Sequence, residues 1–374
     1  MESDPRTPCF FICPYLGGNH LNTLQNYGWN ELHQTHWIEH QENFKSSEGK
    51  IGRVTLEHKH MYRVVTELGE WLAVCSGSLL HRAIDRRDYP AVGDWVAIEQ
   101  MPGEERGIIH SILPRTSVFS RKTAGDSMTE QLIAVNVDIV FLVTSMNEDF
   151  NPRRLERYLV AAYDSGAIPV IVLTKADLCD TPQDFIDQAS NIAFGTDVFA
   201  VSSKTGAGID HVIALLKDGK TAALLGSSGV GKSSLVNAIC GDATMDVQTI
   251  REDDAKGRHT TTHRELIALP AGGVLIDTPG MREFQLWNDS ESIEGSFSDI
   301  EALTASCKFN DCSHKSEPGC AIQQALADGS LAEDRFMSYL KLQREIAYLE
   351  RKTNTQAQIA ERKRWKAIAK TQKR

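Results

Sequence analysis

The segment "GSSGVGKSS", Gly226 to Ser234, has glycines, a lysine and serines at the spacing of a phosphate cradle. In a loop of the form G-x-x-x-x-G-K-[ST], backbone N–H groups converge on phosphate oxygens, the lysine reaches the β/γ-phosphates and the next hydroxyl meets Mg²⁺. Gly226, Ser227, Ser228, Gly229, Val230 and Gly231 would form the cradle, Lys232 would supply the cation, and Ser233 and Ser234 would open the helix behind it. "TKAD", Thr174 to Asp177, lies upstream and reads as a guanine recogniser. A carboxylate accepts hydrogen bonds from the N1–H and N2 amino group of guanine, and adenine has no such donor pair. Asp177 suits this role, with Ala176 and the Lys175 stem against the base, and Ser203 and Lys204 of "SSK" are expected nearby.

Two further segments complete a nucleotide-switch set. In "DTPG", Asp277 can hold Mg²⁺ through water and the Gly280 amide can sense a γ-phosphate. In "GRHTTTHREL", Thr260 or Thr261 is the candidate to reach Mg²⁺ only when the γ-phosphate is present. "CKFNDCSHKSEPGC" then brings Cys307, Cys312, His314 and Cys320 within fourteen residues. Three thiolates and an imidazole make a closed tetrahedral Zn²⁺ set with no position for substrate, so the ion would be structural.

The elements that must position these residues follow from pattern. At 374 residues the chain is long enough for two or three domains. Its 41% hydrophobic and 24% charged residues suit a globular protein, and a net charge of -10 gives no global attraction to nucleic acid. Residues 1–50 show no sustained period, and their histidines, His20, His33, His36 and His40, match no compact ligand set, so a flexible extension is expected. Short β-rich runs punctuated by Gly, Asp and Pro predict an OB-type β-barrel over 51–115, which could bind nucleic acid or serve as a packing module. Strands alternating with helices predict an α/β phosphate-loop domain over 116–290, with ligand loops at the carboxyl ends of its strands. A metal-binding module over 291–330 and a basic helical segment over 331–374 complete the multidomain chain. The opening lacks a basic, apolar leader and no apolar run is long enough to span a bilayer, so a cytoplasmic protein with reduced thiols and no membrane partner is expected.

The order of these segments is base reader, partner loop, phosphate cradle, first switch, second switch. It resembles a circularly permuted GTPase of the translation-factor-related kind. With a barrel before it and a Cys₃His set after it, the chain resembles the bacterial ribosome small subunit-dependent GTPase A family over about 51–330. That resemblance implies GTP and GDP with Mg²⁺, one structural Zn²⁺, a monomeric protein, and late maturation of the small ribosomal subunit through contact with its rRNA. It also implies subunit-stimulated hydrolysis, resting on His259, Lys232 and Thr261, with His259 the candidate to orient water. The family usually has Asn where this chain has Thr174, which implies a weaker nucleotide hold; Met281 after "DTPG" cannot position water and implies slow intrinsic turnover. A GTP-gated RNA-binding scaffold with incidental hydrolysis is the competing reading, and a nucleotide kinase ranks behind both.

Overall fold

A computed structural model describes residues 23–41, 49–58, 61–122, 130–193, 195–241, 264–270, 272–277, 297–309, 312–315 and 317–344. Helices α1 (Thr23–Asn26) and α2 (Glu31–Gln41) precede a barrel of five strands. These strands are β1 (Lys50–His58), β2 (Met61–Thr66), β3 (Gly69–Cys75), β4 (Trp95–Gln100) and β5 (Arg106–Ile112). Helix α3 (Gly77–Arg82) lies between β3 and β4. The strand order β1-β2-β3-β5-β4 closes because β4 returns to pair with β1, Lys50 facing Ile98 and Arg53 facing Trp95. Alternation makes the interior: on β3, Trp71 and Ala73 are buried while Glu70 and Leu72 face outward. Val54, Val64, Ile98 and Ile109 complete that core.

A two-stranded ribbon, β6 (Val118–Lys122) with β7 (Glu130–Val135), leads into the α/β region. Its strands are β8 (Ile139–Ser145), β9 (Ile168–Thr174), β10 (Val198–Ala200), β11 (Thr221–Leu225), β12 (Glu265–Ala268) and β13 (Val274–Asp277). They are ordered β10-β9-β8-β11-β13-β12, all parallel except β12. Buried on both faces, β8 and β9 read as near-continuous apolar runs. Helices α4 (Pro152–Asp164), α5 (Pro182–Ile192), α6 (Ile209–Ala214) and α7 (Lys232–Cys240) pack on the two faces, whose cores centre on Leu142 and Leu155 on one side and Phe141 and Leu235 on the other.

The barrel joins this sheet edge to edge. Leu56 of β1 pairs with Glu265 of β12, and Arg63 adds an ion pair to Glu265 at 3.5 Å. A second joint is buried: the Arg53 guanidinium donates to the carbonyls of Tyr27, Gly93 (3.3 Å) and Asn136 (3.2 Å). Burial lowers its pKa to about 10, and the nearby carboxylates of Asp138 and Asp94 oppose that fall.

Part of the expected flexible extension is ordered. Residues 23–41 dock on the barrel, with Leu24 and Trp37 buried against Ile51, Trp95 and Leu113. His33 lies between Trp29 and Trp95, with ring centroids at 5.8 and 5.3 Å. Residues 1–22 and 42–48 lie outside the described residues, as does the basic run 345–374. Residues 333–344 are helical as expected, and their Phe336, Tyr339 and Leu342 join the α/β core.

Candidate nucleotide and metal sites

The phosphate loop is the connection from β11 to α7, and it lies at the carboxyl end of a parallel strand. Gly226 has no room for a side chain, since a Cβ there would stand 2.3 Å from the Val143 carbonyl oxygen. Gly229 has the opposite requirement, with open space around it and φ of 83°. Gly231 is the N-cap of α7 and makes no side-chain cap hydrogen bond, and a helix N-terminus at the end of such a loop favours an anion. Lys232 Nζ donates to the carbonyls of Gly226 and Ser227, each at 2.6 Å, which puts its charge inside the loop. Ser228, Ser233 and Ser234 are exposed and Val230 is buried.

The base-reading loop follows β9 and is tied to the phosphate loop. The Thr174 hydroxyl bonds to the Val230 carbonyl at 2.5 Å and to the Thr144 carbonyl at 3.2 Å. Thr174 thus links its own strand, β8 and the cradle through one side chain. Lys175 adopts φ of 62° and Ala176–Leu178 form a single turn, which turns Asp177 outward to an exposed position. Asp177 Oδ1 accepts from the Ser202 hydroxyl at 2.7 Å, and Ser202 Oγ also receives the backbone amides of Lys204 and Thr205. Ser203 and Lys204, expected near the base, follow directly on Ser202, which is buried and is the residue that touches Asp177. Two more residues were missed: Arg154 Nη1 donates to Ser227 Oγ at 2.7 Å and Tyr158 Oη lies 3.4 Å from that oxygen. Their signal was helical spacing on α4, which reads equally well as surface and core.

Asp277 ends β13, whose Ile276 is in register with Ala223 of β11, so its backbone sits beside the strand that leads into the cradle. The side chain of Asp277, and His259, Thr260, Thr261, Gly280 and Met281, lie outside the described residues.

Cys307, Cys312, His314 and Cys320 come together with their ligand atoms within 4.8 Å of one another. Cys307 Sγ and Cys320 Sγ are each 3.6 Å from His314 Nδ1 and 3.9 Å from each other. Helix Ser298–Ala305 ends just before Cys307, and Cys320 is the N-cap of helix Ala321–Asp328, where it accepts from the Gln323 amide. Desolvation, together with the neighbouring thiols Cys320 and Cys307, pushes the Cys312 thiol up to about 11. Against desolvation, the same hydrogen-bonded cluster draws the Cys307 thiol down, with the Ala321 and Ile322 amides and the Cys320 and Cys312 thiols favouring its thiolate. Three thiols gathered around one imidazole are a donor set whose soft sulfur atoms suit Zn²⁺. Phe336 covers the His314 ring edge-on with centroids 6.2 Å apart.

A family model described as RsgA GTPase matches residues 112–287. The chain is 46% identical over 346 residues to the small ribosomal subunit biogenesis GTPase RsgA 1 of Oceanobacillus iheyensis, covering 92% of this chain and 99% of that one. It is 44% identical to the RsgA protein of Opitutus terrae, covering 92% and 96%. Among solved structures it is similar to YjeQ from Thermotoga maritima, with a TM-score of 0.61 and 28% identity over 80% of this chain and 99% of that chain. YloQ, described as a circularly permuted GTPase, gives a TM-score of 0.59 at 27% identity over 81% and 96%. The closed barrel, the phosphate loop that follows its base reader, the Cys₃His cluster and these likenesses agree: the chain belongs to the RsgA GTPase family and is a GTP hydrolase.

Proposed function

We propose that this GTP hydrolase binds the small ribosomal subunit and assists its late maturation, with hydrolysis stimulated by the particle. One observation carries the reading: near-full-length identity of 46% to a relative named for small-subunit biogenesis. In this reading Asp177 selects guanine, with Lys175 and Ala176 against the base, and the 226–234 amides cradle the phosphates. Lys232 exchanges its two carbonyl partners for phosphate oxygens when nucleotide enters. Oxygen donors suit Mg²⁺, and Ser233, Asp277 and Thr260 or Thr261 would hold the ion that neutralises charge on the phosphates. His259 orients the attacking water, and Gly280 senses the γ-phosphate. Cys307, Cys312, His314 and Cys320 would hold one structural Zn²⁺.

The barrel and the basic C-terminal segment make the rRNA contacts, where Lys and Arg neutralise phosphates despite the acidic total. The divisions at 1–50, 51–115, 116–290, 291–330 and 331–374, a monomeric state and a cytoplasmic place belong to the same proposal. No helix among the described residues is long and apolar enough to cross a membrane.

The test is GTP turnover with and without small subunits, with ATP and Lys232→Ala as controls. Stimulation restricted to GTP and abolished in the variant supports the reading. GTP-dependent binding to the particle without stimulation overturns it in favour of a nucleotide-gated scaffold. His259→Ala is expected to lower stimulated hydrolysis far more than nucleotide affinity, and equal losses would remove His259 from the role.

A further inference from the structure

Helix α4 faces two ways. Arg154 and Tyr158, one helical turn apart, meet the Ser227 hydroxyl of the phosphate loop. Glu156 is two positions from Arg154, so it points to nearly the opposite side of the helix. There its buried carboxylate faces Arg335 at 3.9 Å. Arg335 is itself fixed, donating to Asp299 at 2.7 and 2.8 Å and to the Ile192 carbonyl at 3.0 Å, with its guanidinium 4.9 Å from the Phe297 ring centroid. It lies on the 333–344 helix that also carries Phe336, the residue packed on the metal-ligating His314.

The loop is thus held by two cations. Lys232 belongs to the motif and grips the Gly226 and Ser227 carbonyls from within. Arg154 comes from another helix and grips the Ser227 side chain from outside. A loop that cradles phosphate must hold its amides in one arrangement before the ligand arrives, because ordering them on binding subtracts from affinity. An arginine fork is a preorganised donor for such a clamp, and a charge-assisted hydrogen bond is stronger than a neutral one.

We propose that Arg154 is a positioning residue that fixes the Ser227 end of the phosphate loop for nucleotide binding, and that α4 makes this grip depend on the Arg335-clasped C-terminal helix. The proposal deepens the GTP hydrolase reading and rests on it. Nucleotide affinity at the loop then responds to whatever displaces the metal-binding end of the molecule.

The test is equilibrium binding of fluorescent GTP and GDP analogues to the full chain, with single-turnover hydrolysis beside it. Arg154→Ala is expected to weaken binding about tenfold, the worth of a charge-assisted hydrogen bond, and to lower affinity more than the single-turnover rate. Ser227→Ala, a small change in an otherwise intact loop, should do the same. The double variant should be no more than about twofold worse than either single one, because both remove one interaction. Arg154→Lys should recover part of the loss, which a purely packing role would not require. Arg335→Ala should weaken binding about threefold in the natural chain and not at all in the Arg154→Ala background. Unchanged affinity in Arg154→Ala and Ser227→Ala, or losses that multiply in the double variant, would overturn the clamp. An equal Arg335→Ala effect in both backgrounds would overturn the dependence on the C-terminal helix. Lys232→Ala separates the two levels of inference. If it binds nucleotide normally, the phosphate-loop reading itself fails; if it abolishes binding while Arg154→Ala matches the natural chain, only this inference fails.

Discussion

The phosphate loop and the Cys₃His cluster each gather polar groups into a few ångströms, one through backbone and the other through side chains. In the loop, strand register, glycine conformation and an uncapped helix end set the geometry, and Thr174, Lys232 and Arg154 hold it. In the cluster, two short helices flank three thiols and one imidazole whose ligand atoms lie within 4.8 Å of one another. A site of the first kind is formed before its ligand arrives, whereas the second draws much of its cohesion from the ion it would hold.

The largest expected effect breaks the second site alone. Cys320→Ser, or exhaustive chelation, should remove the metal, whose binding to such sites is worth on the order of 10 kcal/mol. Hydrogen exchange across 297–344 should rise to near-unprotected levels, while nucleotide affinity changes only a few-fold. Collapse of nucleotide binding as well would show that the loop is not preformed. Gly226→Ala attacks the first site through its backbone. The added methyl meets the Val143 carbonyl, so about 3 kcal/mol of stability should be lost, with nucleotide affinity falling more than tenfold and metal content unchanged.

His33 extends the comparison to a buried group with neither metal nor hydrogen-bond partner for its ring nitrogens among the described residues. Burial first, then the charges of Arg53 and His36, lower its pKa from 6.5 to about 4. The imidazole is therefore neutral in the folded chain, and the unfolded chain takes the proton first. Stability should be complete above pH 6.5 and fall as pH drops towards 4, by roughly 2–3 kcal/mol. Urea unfolding at several pH values reads this, and His33→Phe should flatten that part of the slope. The smallest effect is Gly229→Ala, which meets open space and carries only the strain of its φ, about 1 kcal/mol. A loss as large as that at Gly226 would mean that conformation, not close approach, governs the loop.

The cradle was legible in sequence because phosphate binding demands fixed residue types at fixed spacing within one segment, and "GSSGVGKS" satisfies all of them between a strand and a helix. The Cys₃His set was legible for the same reason. Barrel strands could be read because alternation on β3 and punctuation between the runs are local. What escaped depends on contacts between distant segments. Helix α2 buries only His33 and Trp37, too few for an apolar stripe, so its docking on Trp95 left no period to read. Ser202 and Ser203 are adjacent and chemically alike, and only the turn after β10 decides which one meets Asp177. Arg154 and Arg335 are ordinary helical arginines until Ser227 and Glu156 are placed beside them.

The edge joint between β1 and β12 also bears on how the chain assembles. Leu56 and Glu265 are separated in sequence by all of β2 to β11, so this pairing carries a high loop-closure cost, whereas the five barrel strands are near neighbours. During synthesis from the N-terminus, the barrel can close while the sheet it will extend is still being made. The joint that merges the two into one sheet therefore forms late, and a chain stalled before β12 would present β1 with part of its edge uncovered.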